Sequence, residues 1–147
     1  MAERTARTVW EGTLTDGKGE VTAESSHILV GVPVTWTSRV DEPEGRTSPE
    51  ELLAAAHAAC YAMALSGALA RGDTPADRLE VTATVAFEKV GDKFKVTRSR
   101  LHVRGRVPGL DQPSFQDAAR AGEQGCPISG AIRGNVDIEL EAELDAS

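Results

Sequence analysis

A long apolar segment in the middle of the sequence limits most strongly what this chain can fold into. In SPEELLAAAHAACYAMALSGALARG, the apolar run from Leu52 to Ala70 is interrupted by His57 and Ser66. Because the run consists mostly of alanine, a poor membrane anchor, we interpret it as a buried helix and not as a membrane span. A helix that is apolar on all sides must also be covered on all sides.

The ends of this helix carry recognisable signals. Ser48 is the predicted N-cap, Pro49 the first helical residue and Glu51 the partner in a capping box, while Gly72 terminates the helix. At ~1.5 Å per residue, residues 52–70 extend over about 28 Å. One small chain can barely cover such a helix, so we predict a homodimer whose central helices pack together between sheets.

Size and composition indicate one globular domain, residues 1–147. The chain is 40% hydrophobic and 27% charged, and its net charge of −7 disfavours nucleic acid or an anionic membrane surface as a partner. No secretory signal is recognised, and two cysteines are too few for a disulfide-stapled secreted scaffold. We therefore predict a cytoplasmic protein.

Alternating apolar residues predict β-strands on both sides of the helix. Residues 8–14 and 20–24 form a hairpin through DGKG, and HILVGVPVTWTSR, residues 27–39, is the predicted third strand. A second hairpin joins residues 79–90 to residues 93–107 through Gly-Asp. The apolar phase changes along its second strand, from even to odd positions, which predicts a β-bulge.

The remaining elements complete an α+β fold. A second helix is predicted for residues 111–125, a short helix begins at Pro127, and a strand over residues 135–144 closes the chain. The predicted order is βββ-α-ββ-α-α-β with antiparallel sheets.

The two cysteines lie in different settings. Cys60 is in the middle of the long helix, where it is either a small core residue or a thiolate that needs a positive charge from elsewhere in the fold. Cys126 precedes Pro127 at a predicted helix N-terminus, which favours a thiolate. On local grounds Cys126 is thus the more reactive cysteine.

The histidines are weaker candidates. His57 lies three residues before Cys60 and can share a helix face with it, so a Cys–His hydrolase pair or half a zinc site is conceivable. His27 and His102 show no ligand spacing, and a structural zinc site needs four ligands. We predict neither a metal nor a cofactor, and place His57 where the helix meets solvent or a partner.

Several motifs together resemble the OsmC/Ohr family of organic hydroperoxide-reducing thiol peroxidases. SPEELLAAAHAACYAMALS is similar to the family signature, and CPIS at Cys126 matches its second cysteine context. The N-terminal WEGTL, GKGEVTAES and WTSR resemble the OsmC branch. The resemblance covers nearly the whole chain and implies an intertwined homodimer with antiparallel sheets around two long central helices.

The resemblance also implies roles for individual residues. Cys60 would be the peroxidatic cysteine and Cys126 the resolving cysteine that closes an intramolecular disulfide. Arg39, from WTSR, and Glu50 would form the activating pair, although Arg46 in the following loop is an alternative source of the guanidinium. The implied reductant is a dithiol such as a lipoyl group. The resemblance thus makes Cys60 the attacking cysteine, whereas the local sequence favours Cys126.

Physical chemistry agrees with these implied roles. A thiolate attacks the peroxide bond, an arginine is always charged, and a carboxylate can hold its guanidinium by two hydrogen bonds. Glu50 lies ten residues, roughly 15 Å, from Cys60 along one helix, so the predicted activating pair comes from the partner subunit. The alanine-rich surroundings favour an organic hydroperoxide over hydrogen peroxide.

Two other interpretations of the sequence stay open. A non-catalytic dimeric stress protein could bind a hydrophobic ligand in the same groove. A cysteine hydrolase could use His57 as its base.

Overall fold

The computed structural model describes residues 1–145, which form two compact units, Met1–Leu52 and the chain from Leu53 onwards. The elements, in chain order, are β1 (Ala6–Glu11), β2 (Lys18–Ala23), β3 (Val32–Val34), α1 (Trp36–Val40), α2 (Pro49–Arg71), β4 (Arg78–Val90), β5 (Lys93–Arg106), α3 (Gln112–Gly125), α4 (Pro127–Ile132) and β6 (Asp137–Leu144). The predicted α+β class is confirmed, with α1 as an additional helix. That residues 1–147 form a single domain stays a prediction.

The first unit contains an antiparallel sheet in the order β1-β2-β3. The predicted hairpin between β1 and β2 is confirmed, with Trp10 paired to Gly19 and Glu11 to Lys18. Gly19 packs under the Trp10 ring, because a Cβ there would lie 2.7 Å from a ring carbon.

The predicted third strand is wrong over most of its length. Only Val32–Val34 is a strand, and the chain then forms α1. Thr35 caps α1 by accepting a hydrogen bond from the Ser38 backbone, and the Ser38 hydroxyl accepts from the Thr35 backbone. This capping box stabilises a helical turn at the point where the alternating apolar pattern predicted a strand. Arg39 therefore lies on a helix.

Helix α2 begins as the sequence predicted. The backbone N–H of Glu51 donates to the Ser48 hydroxyl at 3.1 Å, so Ser48 caps the helix. The Glu51 side chain does not complete the predicted capping box but accepts a 2.6 Å hydrogen bond from the Thr47 hydroxyl. The helix start is thus held by two side chains of the preceding segment.

Helix α2 has one buried and one exposed face. The buried face consists of residues four apart, His57, Tyr61, Leu65 and Leu69. The exposed stripe consists of Ala55, Ala59, Met63, Ser66 and Ala70. By length and composition α2 could cross a membrane, and 22% of its most apolar stretch is buried within the chain. The predicted coverage on all sides is therefore not provided by one chain.

The second unit contains a sheet in the order β4-β5-β6. The β4–β5 hairpin is antiparallel, and its register shifts where Ala86 pairs with Arg98 and Phe87 with Val96. Thr97 is thus the extra residue of the predicted bulge. Strand β6 pairs with β5 in parallel, which corrects the prediction of purely antiparallel sheets. The α3–α4 segment supplies the long crossover that a parallel connection needs.

The core of the second unit joins α2, the sheet and α3. Leu65 of α2, Leu101 and Val103 of β5 and Phe115 of α3 are almost completely buried. Fully burying such a side chain stabilises the fold by about 1.5–3 kcal/mol. Gly122 lets α3 approach α2 closely, because a Cβ there would lie 3.0 Å from the Cα of Leu65. This packing fixes the end of α3, which leads into Cys126.

Candidate functional site

The two cysteines are in direct contact. Cys60 lies on α2 and is half-buried, whereas Cys126, between α3 and α4, is only 1% exposed. Their Sγ atoms lie 3.2 Å apart, and both residues are free thiols. Two residues that are distant in sequence therefore present sulfurs close enough for thiol–disulfide chemistry.

Cys126 is the N-cap of α4, as the sequence predicted. Its Sγ accepts a 3.5 Å hydrogen bond from the backbone N–H of Ser129, and Pro127 occupies the first helical position. Proline suits that position because its missing N–H has no helical partner to lose. The sulfur thus takes the place of the side-chain oxygen that usually caps a helix.

The two thiols have opposite pKa shifts in this chain. Burial, the largest effect, raises the pKa of Cys60, the backbone N–H of Ile128 opposes it, and the neighbouring Cys126 adds to the rise. Burial also raises the pKa of Cys126, but hydrogen bonds from the Ser129 backbone and hydroxyl, Cys60 and the Ile128 backbone together lower it below its ordinary value. Within one chain, therefore, Cys126 is the more acidic thiol, as local sequence predicted.

His57 is buried and lies at neither a solvent nor a partner boundary, so its predicted location is wrong. Its Nδ1 is 2.7 Å from the Ser99 hydroxyl and its Nε2 is 2.7 Å from the Ser129 hydroxyl. Burial lowers the pKa of His57 and so favours the neutral imidazole. The Glu123 carboxylate partly opposes this effect. Since serine hydroxyls bind both ring nitrogens, this arrangement does not provide the free base that a Cys–His hydrolase needs.

Ser99 and Ser129, which are both fully buried, were not among the residues predicted for the site. Ser129 had a detectable signal, because it is the third residue of a helix capped by Cys126 and an N-cap accepts from that position. Ser99 had none, since it reaches His57 only through the packing of β5 against α2.

In the first unit, Arg39 and Glu50 form a bidentate ion pair. The Arg39 Nε lies 3.0 Å and 3.2 Å from the two carboxylate oxygens of Glu50, and an Arg39 terminal nitrogen lies 2.8 Å from Oε1. Glu50 is 7% exposed. The guanidinium also lies over the Trp36 ring, at 5.9 Å from its centroid. Arg46 instead pairs with Glu44 at 3.8 Å in an exposed position.

An apolar cavity of about 570 Å³ opens beside this ion pair. Its lining includes Trp10, Leu14, Val34 and Trp36 as well as Arg39. An apolar cavity with one cationic group in its wall fits a molecule with a hydrocarbon part and a polar end.

A further group of polar side chains lies on the second sheet. Within residues 1–145, ligand atoms of His102, Glu141 and Glu143 lie within 4.8 Å of one another. The two glutamates are exposed, and His102 pairs with Glu143 at 3.4 Å. Such groups are frequent on sheet surfaces because cross-strand neighbours of opposite charge stabilise the pairing.

The fold and the thiol pair define a class of small α+β proteins. In this class, one cysteine lies on a long helix and contacts a second cysteine at the N-terminus of a short helix. The family model described as "OsmC-like protein" matches residues 42–141. Peroxiredoxin OsmC of Escherichia coli is 35% identical over 132 residues, which cover 90% of this chain and 91% of that protein. The organic hydroperoxide resistance protein OhrA of Bacillus subtilis is 33% identical and covers 84% and 86%.

Solved structures agree with these relatives. The crystal structure of the organic hydroperoxide resistance protein OhrB of Bacillus subtilis matches with a TM-score of 0.73 at 29% identity, over 94% of this chain and 97% of that one. This chain belongs to the OsmC/Ohr family, as its sequence motifs predicted. The names of these relatives support a peroxide-related redox role.

Proposed function

We propose that this protein is a cysteine-based peroxidase that reduces organic hydroperoxides to alcohols, with Cys60 as the attacking thiolate and Cys126 as the resolving thiol. The observation that carries the proposal is the 3.2 Å contact between a half-exposed and a buried cysteine sulfur. A substrate can reach the exposed sulfur, and the buried one is already in place for the second step.

The chemistry balances in two steps. The Cys60 thiolate attacks the terminal oxygen of the hydroperoxide, the O–O bond breaks, and the alkoxide takes a proton from solvent and leaves as the alcohol. Cys60 is then a sulfenic acid. The Cys126 sulfur attacks the Cys60 sulfur, and its proton leaves with the hydroxide as water, which leaves a disulfide. An external dithiol restores both thiols.

Cys60 needs a positive charge for this role. Burial and then the neighbouring Cys126 raise its pKa within one chain, although the Ile128 N–H opposes the rise. The guanidinium of Arg39 supplies this charge. The bidentate contact with Glu50 fixes its orientation, whereas Arg46 has no such contact within the described chain. A fixed guanidinium also stabilises negative charge as it develops on the leaving oxygen.

The arginine reaches Cys60 from a second copy of the chain, in a homodimer with shared active sites. Glu50 and Cys60 are ten residues apart on α2, about 15 Å along the helix axis, which exceeds the reach of the Glu50–Arg39 pair. The stripe from Ala55 to Ala70 is exposed, and all of its side chains except Met63 are small. Such a stripe suits close packing against the same helix of a partner.

The substrate is an organic hydroperoxide because of the cavity beside Arg39. Its apolar lining can bury an alkyl chain, and the guanidinium at its wall can bind the peroxide end. The relatives named for organic hydroperoxide resistance support the same substrate class. The reductant is a dithiol such as a lipoyl group, and the site of action is the cytoplasm.

The experiment that tests the proposal is thiol titration before and after addition of cumene hydroperoxide. We expect both thiols of each chain to disappear and to return on treatment with a dithiol. The same cavity would also suit a protein that binds a hydrophobic ligand without catalysis. That function predicts that both thiols survive the treatment, which would contradict the peroxidase.

Replacing Arg39 with alanine is expected to lower kcat/KM for cumene hydroperoxide roughly 10²-fold or more, because Cys60 loses the cation that favours its thiolate. Arg46→Ala is the matched control, since Arg46 pairs only with the exposed Glu44 among the described ion pairs of this loop. We expect that variant to keep parental kinetics. Steady-state rates measure both variants, and a loss confined to Arg46→Ala would assign the activating role to Arg46.

A further inference from the structure

A line of buried hydrogen bonds runs from β5 to the Cys126 sulfur. Ser99 contacts His57 Nδ1 at 2.7 Å, His57 Nε2 contacts the Ser129 hydroxyl at 2.7 Å, and the Ser129 N–H donates to Cys126 Sγ at 3.5 Å. Each of these four residues is at most 1% exposed. The peroxidase chemistry described above uses none of Ser99, His57 and Ser129.

The number of hydrogens on each group decides which residue donates and which accepts in these hydrogen bonds. A neutral imidazole has one N–H and one acceptor nitrogen, and a serine hydroxyl has a single hydrogen. If His57 donates from Nε2, the Ser129 oxygen accepts that hydrogen and its own hydrogen is available to the Cys126 sulfur, in agreement with the lowering of the Cys126 pKa by the Ser129 side chain. Ser99 then donates to Nδ1. With the other tautomer, Ser129 would donate to His57 and its hydroxyl would be lost to the sulfur.

We propose that His57 and Ser129 are positioning residues that stabilise Cys126 as the leaving thiolate when a dithiol reopens the Cys60–Cys126 disulfide. This inference rests on the proposed function and adds a role for the only buried histidine of the described chain. His57, as the Nε2–H tautomer, directs the Ser129 hydroxyl to the Cys126 sulfur. The backbone N–H of Ser129 supplies a second donor to the same atom.

The exposed and buried cysteines differ in how they can take part in this step. A reductant thiolate attacks the Cys60 sulfur, the more accessible of the two. The disulfide bond breaks, and its electron pair passes to the Cys126 sulfur. The second thiol of the reductant then attacks the mixed disulfide and releases Cys60 as a thiolate. Thiol–disulfide exchange is faster when the leaving thiol has a lower pKa, so donors on Cys126 accelerate the first attack.

Other ionisable groups also face this sulfur. Cys60 contacts it and Tyr61 interacts with it from α2, whereas Glu123, which is bound by Arg133 near the end of α3, acts on Tyr61 and His57. Burial, then the Glu123 and Cys126 charges, raises the pKa of Tyr61, so the tyrosine remains neutral while Cys126 titrates. Glu123 and Arg133 are unchanged in every variant below, so their fields cancel in the comparison.

The test follows the ultraviolet absorbance of the thiolate against pH in a Cys60→Ser background. Cys126 is then the only thiol, and the only tyrosine, Tyr61, titrates at higher pH. We expect Ser129→Ala to move the midpoint to higher pH, so that the thiolate fraction below the parental midpoint falls roughly three- to tenfold. Ser114→Ala, at an exposed position of α3, is the matched control and should leave the curve in place.

Replacement of His57 separates orientation from packing. His57→Gln keeps a donor toward Ser129 and is expected to retain the parental midpoint, whereas His57→Leu is expected to shift it upward. Superimposed curves for the parent, Ser129→Ala and His57→Leu would overturn the inference, as would equal shifts for His57→Gln and His57→Leu. The titration needs no peroxide, so its outcome is independent of whether the peroxidase function holds.

Discussion

A chain in which serine replaces Cys60 is expected to lose at least ~10³-fold in hydroperoxide reduction, because the attacking thiolate supplies the chemistry of the first step. The fold should survive, since serine is nearly the size of cysteine and Cys60 is only half-buried. Consumption of cumene hydroperoxide with an excess of dithiol, and with a monothiol, measures the effect.

Cys126→Ser is the matched control for this experiment, because it removes the other member of the same sulfur pair. With no added thiol, we expect it to reduce one equivalent of hydroperoxide per chain in a burst and then to accumulate a sulfenic acid on Cys60, because no thiol is present to condense with that group. The reverse pattern, a burst in Cys60→Ser and none in Cys126→Ser, would make Cys126 the nucleophile. That outcome is a genuine alternative, since Cys126 is the more acidic thiol within one chain.

Mixing two inactive variants is expected to restore activity. A Cys60→Ser chain keeps Arg39 and Glu50, and a Glu50→Ala chain keeps both cysteines. If each site combines the cysteines of one subunit with the ion pair of the other, a heterodimer of these variants contains one complete site. Random subunit exchange should then recover roughly one quarter of the parental activity.

The complementation experiment has two controls. Each variant alone, carried through the same exchange procedure, should stay inactive. A mixture of Cys60→Ser with Cys126→Ser chains retains Arg39 and Glu50 in both subunits but has no chain with both cysteines, so it should recover no activity beyond that of Cys126→Ser alone. If Cys60→Ser and Glu50→Ala chains exchange subunits and no activity returns, the shared site is wrong and the activating group lies within the same chain as Cys60.

Local patterns in the sequence predicted the parts of the fold that depend on neighbouring residues. The start of α2 at Ser48, the β4–β5 hairpin and the bulge at Thr97 follow from capping, turn and alternation signals within a few residues. The N-cap position of Cys126 follows from the proline after it. Each of these features is stabilised by contacts that are short in sequence, so a short window contains the information.

The failures have a common physical origin. The alternating apolar residues before Trp36 suggested a long strand, but Ile28 and Val30 are 82% and 65% exposed, so no core in the described chain selects that strand. Strand β6 was expected to be antiparallel, although the two helices before it form a crossover. The direction of a closing strand depends on how the chain reaches the sheet, and the residue pattern of the strand alone does not contain that information.

The candidate site shows the same division. The family motifs indicated Cys60, Cys126, Arg39 and Glu50, and the structure brings each cysteine and each member of the ion pair to its partner. His57 was assigned to a boundary because its hydrogen-bond partners, Ser99 and Ser129, are 42 and 72 residues away. No spacing rule connects residues that are so far apart in sequence, since the packing of β5 and α4 against α2 creates these contacts.

The sulfur cap of α4 couples helix stability to oxidation state. In the reduced protein the Cys126 Sγ accepts from the Ser129 N–H and completes the first turn of a helix of only six residues. A disulfide sulfur carries no negative charge and is a poorer acceptor than a thiolate, so bond formation weakens that turn. The segment after Cys126 should therefore exchange its amide hydrogens faster in the oxidised protein, which would make α4 a local reporter of the redox cycle.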